Sequence, residues 1–396
     1  MFWFINFIIV RLLSFANDFI FLYLIVSKLQ FSLEGIKNNA RAWVILLNGI
    51  SIKTPIFMPV WTKATIKWIF LEMLQNPQYL WELEPLMIML SNTFHLTLRP
   101  GEDIIKNAWG IQKFMNWPWL VLTDSWWFQV FSLWLGKDKS SVTKKWPIIS
   151  LKEDWIKFRS PIDGSQHYMT PEDCIDIQCD LWSDIMMMLD VCSPWWSDKK
   201  TYTKHMQMTH RRADRQFLHF QKKYDTSRGV LFPIVQWWTD LWLRQESIDH
   251  LSPYAIDGIA VGGVSVGESR NKIEEIISFC GKRLPSTVPR YLMGIGDEST
   301  ITYAIESWFD MFDCVMPTRL GRHGIAYTVE GNIHLSNSKF RSDHSPLCFS
   351  LKNNLSKIYT KSYIHHLLRE REMLWWLLLS LHNILYLHEV VSDLRD

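Results

Sequence analysis

The chain has 396 residues, 48% of them apolar, and a formal net charge of +2. That length accommodates one large domain plus a smaller appendage with a substantial core. The near-balanced charge excludes attraction of a nucleic acid by the overall field, so such a partner needs a local basic patch. Six cysteines (Cys174, Cys179, Cys192, Cys280, Cys314 and Cys348) contain no CxxC pair, which fits a reducing cytosol rather than a secreted disulfide scaffold.

Residues 1–28 carry two apolar runs, 2–13 and 19–26, divided by Ser14, Asn17 and Asp18. Each is shorter than the roughly 20 residues of a membrane-spanning helix, and no small-residue cleavage site follows. The segment reads as an extension upstream of the true start, with a membrane-associated helix as the alternative. From residue 29 strands and helices alternate. Residues 50–60 (ISIKTPIFMPV) are extended, with Pro55 and Pro59 pointing to edge or strand-end positions. Short apolar runs follow at 86–90, 120–123, 184–189, 229–235, 259–261, 291–293 and 314–316, and polar helical stretches such as 200–224 and 271–279 lie between them. Buried strands alternating with helices predict a parallel α/β fold. Periodicity alone does not separate a closed barrel from an open doubly wound sheet.

Polar residues recur where the strands end: Asp124, Asp190, Gln236, the Gly262-Gly263 turn, Gly294 and Asp313. One such Asp is ordinarily a helix cap or turn former. Three of them together with Gln236 point to a polar pocket. In a barrel that face carries the active site.

The aromatic content is abnormal. There are 22 Trp but only 17 Gly, about 4% of the chain against an ordinary glycine share of roughly 7%. Trp forms doublets at 126–127, 195–196, 237–238 and 375–376. A bulky ring is costly where the backbone turns left-handed or approaches closely, and glycine is free there. We read many of these tryptophans as glycine positions, as arises when UGA codons that the cell reads as glycine are rendered as Trp. The alternative is a truly Trp-rich protein.

Longer strings carry more specific information: TPIFMPV (54–60), SNTFHLTLRPG (91–101), LTDSWWFQVFSL (122–133), FRSPIDG (158–164), AVGGVSVGE (260–268), YLMGIG (291–296) and FDCVMPTRLGRHG (312–324). Together they resemble the tRNA-guanine transglycosylases over about residues 35–340. The resemblance implies a (β/α)8 TIM barrel over 29–340, after an apolar extension at 1–28. It also implies a C-terminal helical subdomain over 341–396 in place of the family's zinc-binding subdomain. The family has Gly-Gly where Trp126-Trp127 and Trp237-Trp238 stand and Gly where Trp61 stands, whereas Trp117 matches a family Trp.

The family breaks an N-glycosidic bond in tRNA and remakes it with another base. The resemblance makes Asp313 the nucleophile on the ribose and Asp124 the general acid/base. It assigns base binding to Asp124, Ser125, Trp126, Trp127, Phe128, Asp190, Gln236, Gly263, Val264 and Met293. Gly294, Ile295, Gly296, Asp297, Glu298, Ser299 and Thr300 align with one RNA-contacting loop, and Thr318, Arg319, Leu320, Gly321 and Arg322 with another. Val266, between Ser265 and Gly267, favours the bacterial form and hence 7-aminomethyl-7-deazaguanine as the incoming base. A cytoplasmic homodimer acting on the anticodon loop is implied, with no membrane partner. The family's zinc-ligating cysteines would fall near Leu351, Asn353 and Ser356, none of them Cys. His382 is the only ligand in register and Cys348 is out of register, so zinc is not expected. Two other readings remain open: a non-catalytic tRNA-binding paralogue and a membrane-tethered RNA-binding protein.

Overall fold

The computed structural model describes residues 8–14, 20–37, 40–125, 148–193, 197–224, 227–265 and 267–395. Its centre is a ring of parallel strands: β1 (Ile56–Trp61), β2 (Ile88–Ser91), β3 (Leu120–Thr123), β4 (Ile185–Met187), β5 (Val230–Phe232 with Ile234–Val235), β6 (Ile259–Val261), β7 (Arg290–Leu292) and β8 (Met311–Cys314). Each pairs with the next, and β8 returns to β1, with Met311 opposite Ile56. The ring closes through β5. Pro233 has no N–H to give to a ladder, so the strand breaks there; its first half pairs with β4 and its second with β6. This closure selects the TIM barrel over the open sheet.

Strand alternation fills the barrel. Met58, Ile88, Leu90, Leu120, Leu122, Ile185, Met187, Val230, Phe232, Ile234, Ala260, Tyr291 and Met311 form one buried inner cluster. Their neighbours Phe57, Met89, Val121, Met186, Val235, Val261, Leu292 and Phe312 face outward into the clusters beneath the helices. Those helices include Lys199–Tyr224, Leu241–Leu251, Arg270–Gly281 and Glu298–Glu306. The helix Pro171–Asp180 shows how local sequence sets a start: Thr170 and Asp173 cap each other's backbone N–H groups, and Pro171 occupies the first turn.

The extended run 50–60 splits at Pro55. Ile50–Thr54 joins Gln30–Lys37 and Ala40–Leu47 in an antiparallel sheet, while the rest becomes β1. Leu29, Ile45, Leu47 and Ile52 belong to the inner cluster, so this sheet plugs the amino-terminal end of the barrel. Arg41 locks it with a buried two-pronged bond to Asp310, just before β8, at 2.9 and 2.6 Å. Within the N-terminal apolar segment, Ile8–Ser14 pairs antiparallel with Ile20–Val26, as strands rather than the helix considered from sequence.

Among the described residues one helix, Leu374–Arg395, is long and apolar enough to cross a membrane, and 72% of its apolar window is buried inside the protein. It packs so closely on the helix Met316–Gly321 that a Cβ on Gly321 would lie 2.7 Å from the Ser380 backbone nitrogen. Asn383 secures the contact. Its Oδ1 accepts from Tyr327 N, and its Nδ2 donates to the carbonyls of Pro317 and Ile325.

The positions aligned with zinc ligands form a buried hydrogen-bonded group. Ser356 Oγ lies 2.7 Å from His382 Nδ1 and 2.8 Å from Asn353 Oδ1, and His382 Nε2 donates to the Tyr327 carbonyl at 2.8 Å. Burial holds the His382 pKa down at about 4, so the ring is neutral. With Leu351 buried beside this polar group, the donors are one imidazole already bonded at both nitrogens, one hydroxyl and one amide. Zinc requires a closed set of thiolate, imidazole or carboxylate donors, and this set does not fit it. No group of three or more His, Cys, Asp or Glu is placed to hold a metal among the described residues.

Candidate active site

The inward register of the strands, within β8 for Asp313 and just past the strand ends for the others, delivers side chains to the carboxyl-terminal mouth. Asp124 follows Leu122 by two residues, Gln236 follows Ile234, Met293 follows Tyr291, and Asp313 follows Met311. These side chains line a cavity of about 1290 Å³, together with Ser125, Asp190, Gly262, Gly263, Val264 and Tyr291.

Asp124 is nearly buried and firmly held. Asn92 Nδ2 donates to its Oδ2 at 2.5 Å and the Thr93 N–H to its Oδ1 at 2.9 Å, while the Thr93 hydroxyl donates to its carbonyl at 2.7 Å. Asn92 also caps the helix Thr93–Leu98 by accepting from His95 N. The string Ser91-Asn92-Thr93 thus serves to orient the carboxylate at the end of the adjacent strand.

Asp190 stands one turn beyond β4. Its Oδ1 accepts from Ser125 Oγ at 3.0 Å and its Oδ2 from Gln236 Nε2 at 2.7 Å. Burial pushes its pKa up to about 6, against the downward pull of those two bonds. Gln236 reaches it across Gly262 and Gly263. A Cβ on either glycine would come within 2.5 Å of the Gln236 amide, and Gly263 also has φ +62, so only glycine leaves this path open.

Asp313 opens to the cavity while surrounded by protein. Its Oδ1 accepts from Tyr291 Oη at 2.5 Å and from the Gly294 N–H at 2.8 Å. Burial raises its pKa, and the two donors oppose that. Burial and the neighbouring Asp313 hold Tyr291 well above the ordinary phenol range, so it stays protonated and donates. Sequence reasoning did not single out Tyr291, Asn92 or Thr93. The first lay in the quoted YLMGIG string and the other two in SNTFHLTLRPG, but each reads as core or cap until its partner strand is beside it.

The structure brings all of the expected base-binding residues it describes onto the one cavity. Trp126, Trp127, Phe128 and Val266 lie outside the described residues. Of the expected RNA-contacting residues, Gly294, Gly296, Asp297, Glu298, Ser299, Arg319 and Leu320 line the cavity. Ile295, Thr300, Thr318 and Gly321 are buried, and Arg322 is half-buried off the lining. Asp297 also has a local duty, capping the helix Glu298–Glu306 by accepting from Thr300 N. Arg319 projects to solvent beside Arg322, whose pKa is lowered by burial and by the adjacent Arg319 charge.

A closed (β/α)8 barrel whose mouth gathers three aspartates and a glutamine around one cavity defines a carboxylate-based enzyme of the TIM-barrel class. A family model described as queuine tRNA-ribosyltransferase matches residues 37–396. A queuine tRNA-ribosyltransferase of Prochlorococcus marinus is 41% identical over 361 residues, covering 90% of this chain and 91% of that one. Those of Thermoanaerobacter pseudethanolicus and Caldanaerobacter subterraneus are each 38% identical, covering 91% and 93% of this chain and 90% and 92% of theirs. The chain belongs to the queuine tRNA-ribosyltransferase family, whose members are pentosyl-transferring enzymes.

Proposed function

We propose that this protein exchanges the wobble guanine of tRNA for 7-aminomethyl-7-deazaguanine through a covalent tRNA–enzyme intermediate. The observation that carries the reading is the placement of Asp124 and Asp313 on the same inward register, with the Asp190–Gln236 pair beside them on one cavity. The Asp313 carboxylate attacks ribose C1′ as the bond to guanine breaks, and the leaving guanine takes a proton from Asp124. The incoming base returns a proton to Asp124 and attacks C1′ from the face guanine left, releasing Asp313. This two-step displacement is the logic of a retaining glycosidase.

Asp190 and Gln236 offer an acceptor and an amide to the edge of a purine-like base, and the wobble nucleotide must be turned out of its loop to reach them. Arg319 and Arg322 supply forked donors for the RNA. The choice of an aminomethyl base rests on Val266, and action as a cytoplasmic homodimer rests on kinship alone.

The test is base exchange with labelled guanine and tRNA. Wild-type protein gives ping-pong kinetics and a tRNA adduct that survives denaturing electrophoresis. Asp313→Ala loses both; exchange that persists in this variant overturns the reading.

A further inference from the structure

Among the described residues twelve that are not glycine have positive φ, and seven of these are tryptophan: Trp68, Trp81, Trp109, Trp182, Trp237, Trp238 and Trp308. Fifteen tryptophans are described, so nearly half of them take this backbone, close to the glycine ratio of nine in sixteen. All other residue types together contribute five: Asn48, Ala64, Asn116, Ser265 and Arg371. An L-residue with a bulky side chain is a genuine outlier there, because Cβ crowds the following carbonyl. Tryptophan has no local hydrogen bond with which to offset the crowding, as Asn has. Summed over seven sites, the strain rivals the whole net stability of a folded domain.

The positions are also those that glycine fills for a reason. Trp109 N–H bonds to Lys106 O and the next N–H, Gly110, to Ile105 O. Trp182 bonds to Cys179 O and Ser183 to Gln178 O, and Trp308 bonds to Ile305 O and Phe309 to Ala304 O. Each pair is the two-bond closure that ends a helix on a left-handed residue, which is usually glycine. Trp81 ends the helix Pro77–Leu80 at φ 58 and ψ −103, and Trp237 stands at φ 103. The side chains gain little in return. Trp68, Trp81, Trp109 and Trp182 are exposed, and Trp237 is buried with its indole N–H unpaired. By contrast Trp117 has negative φ, is buried and donates to the Leu120 carbonyl at 3.1 Å.

We propose that residues 68, 81, 109, 182, 237, 238 and 308 are glycine in the polypeptide the cell makes, inserted at UGA codons, and that Trp117 is a genuine tryptophan. Five of the seven were not expected from kinship; backbone geometry alone selects them. The helical doublet Trp375-Trp376 carries no such backbone mark. Glycine at 237 and 238 removes two indoles from the wall behind Gln236 and Ser193, where Trp238 Nε1 now bonds to the Ser193 carbonyl. The inference is independent of the base-exchange reading and survives its failure.

The direct test is peptide sequencing by mass on the protein isolated from its own cells. Glycine is expected at all seven positions and tryptophan at 117. An indole at 237 or 238, or at any of the helix ends 109, 182 and 308, overturns the proposal. A second measurement compares two recombinant chains, one with tryptophan throughout and one carrying Trp68→Gly, Trp81→Gly, Trp109→Gly, Trp182→Gly, Trp237→Gly, Trp238→Gly and Trp308→Gly. The substituted chain is expected to melt at a clearly higher temperature, and an equal or lower melting temperature counts against the proposal.

Discussion

Replacing Tyr291 by Phe removes one of the two donors on Asp313 Oδ1 and almost no volume. The hydroxyl sits 2.5 Å from the carboxylate and the Gly294 N–H 2.8 Å from it, so the variant keeps half of the clamp. A hydrogen bond to a charged group contributes about 1.5–3 kcal/mol, and about 1.36 kcal/mol is a tenfold change. Burial already raises the Asp313 pKa, and Tyr291 is one of the groups that hold it down. Losing the donor therefore raises that pKa further and leaves less of the Asp313 carboxylate ionised at acid pH. The acid limb of kcat/KM should move to higher pH. On that limb the variant should lose roughly ten- to a hundredfold, with most of the loss recovered in alkaline buffer. Labelled-guanine exchange over a pH series measures this, and an unchanged melting temperature shows that the fold is intact. An acid limb that stays in place would mean that the phenol neither tunes nor positions Asp313.

Base affinity should weaken as pH falls through about 6, where Asp190 becomes protonated and stops accepting; calorimetry with guanine measures this, and Asp190→Asn should abolish the pH dependence. Arg41→Ala leaves Asp310 buried without its guanidinium, which costs about 3–5 kcal/mol for a broken buried pair, and denaturant unfolding reads the loss. Chelators should leave the melting temperature unchanged, because Asn353, Ser356 and His382 are joined by hydrogen bonds. The buried neutral His382 has a depressed pKa, so the stability it contributes is complete above the unfolded value near 6.5 and declines as pH falls toward about 4. His382→Gln should flatten that decline in thermal melts.

Much of the site was legible because strand ends are short and chemically abrupt. Asp124 and Gln236 each follow an apolar run directly, whereas Asp313 precedes the run 314–316 read from sequence and lies inside the strand Met311–Cys314; the two-residue period that buries Leu122, Ile234 and Met311 carries all three inward. Tyr291 was hidden by the same rule: a tyrosine inside a strand reads as filling, and its partner lies 22 residues away on β8. Barrel closure depends on residue 311 lying against residue 56, a pairing no local pattern encodes. Asp184 shows the limit from the other side. It opens the run that ends at Asp190, yet it sits buried at the opposite end of β4, accepting from Asn48, Gln112, Val121 N and Arg228.

Under the proposed function, the seat of Gly321 on Ser380 gives the last helix a part in placing Arg319. The segment carrying Arg319 emerges directly from the strand bearing Asp313, and Asn383 pins it at Pro317 and Ile325. The C-terminal helix is thus a brace beneath the segment that carries Arg319. Loosening it, as Gly321→Ala must by pressing a methyl group onto Ser380, should weaken the grip on tRNA while free guanine still finds Asp190 and Gln236 in place.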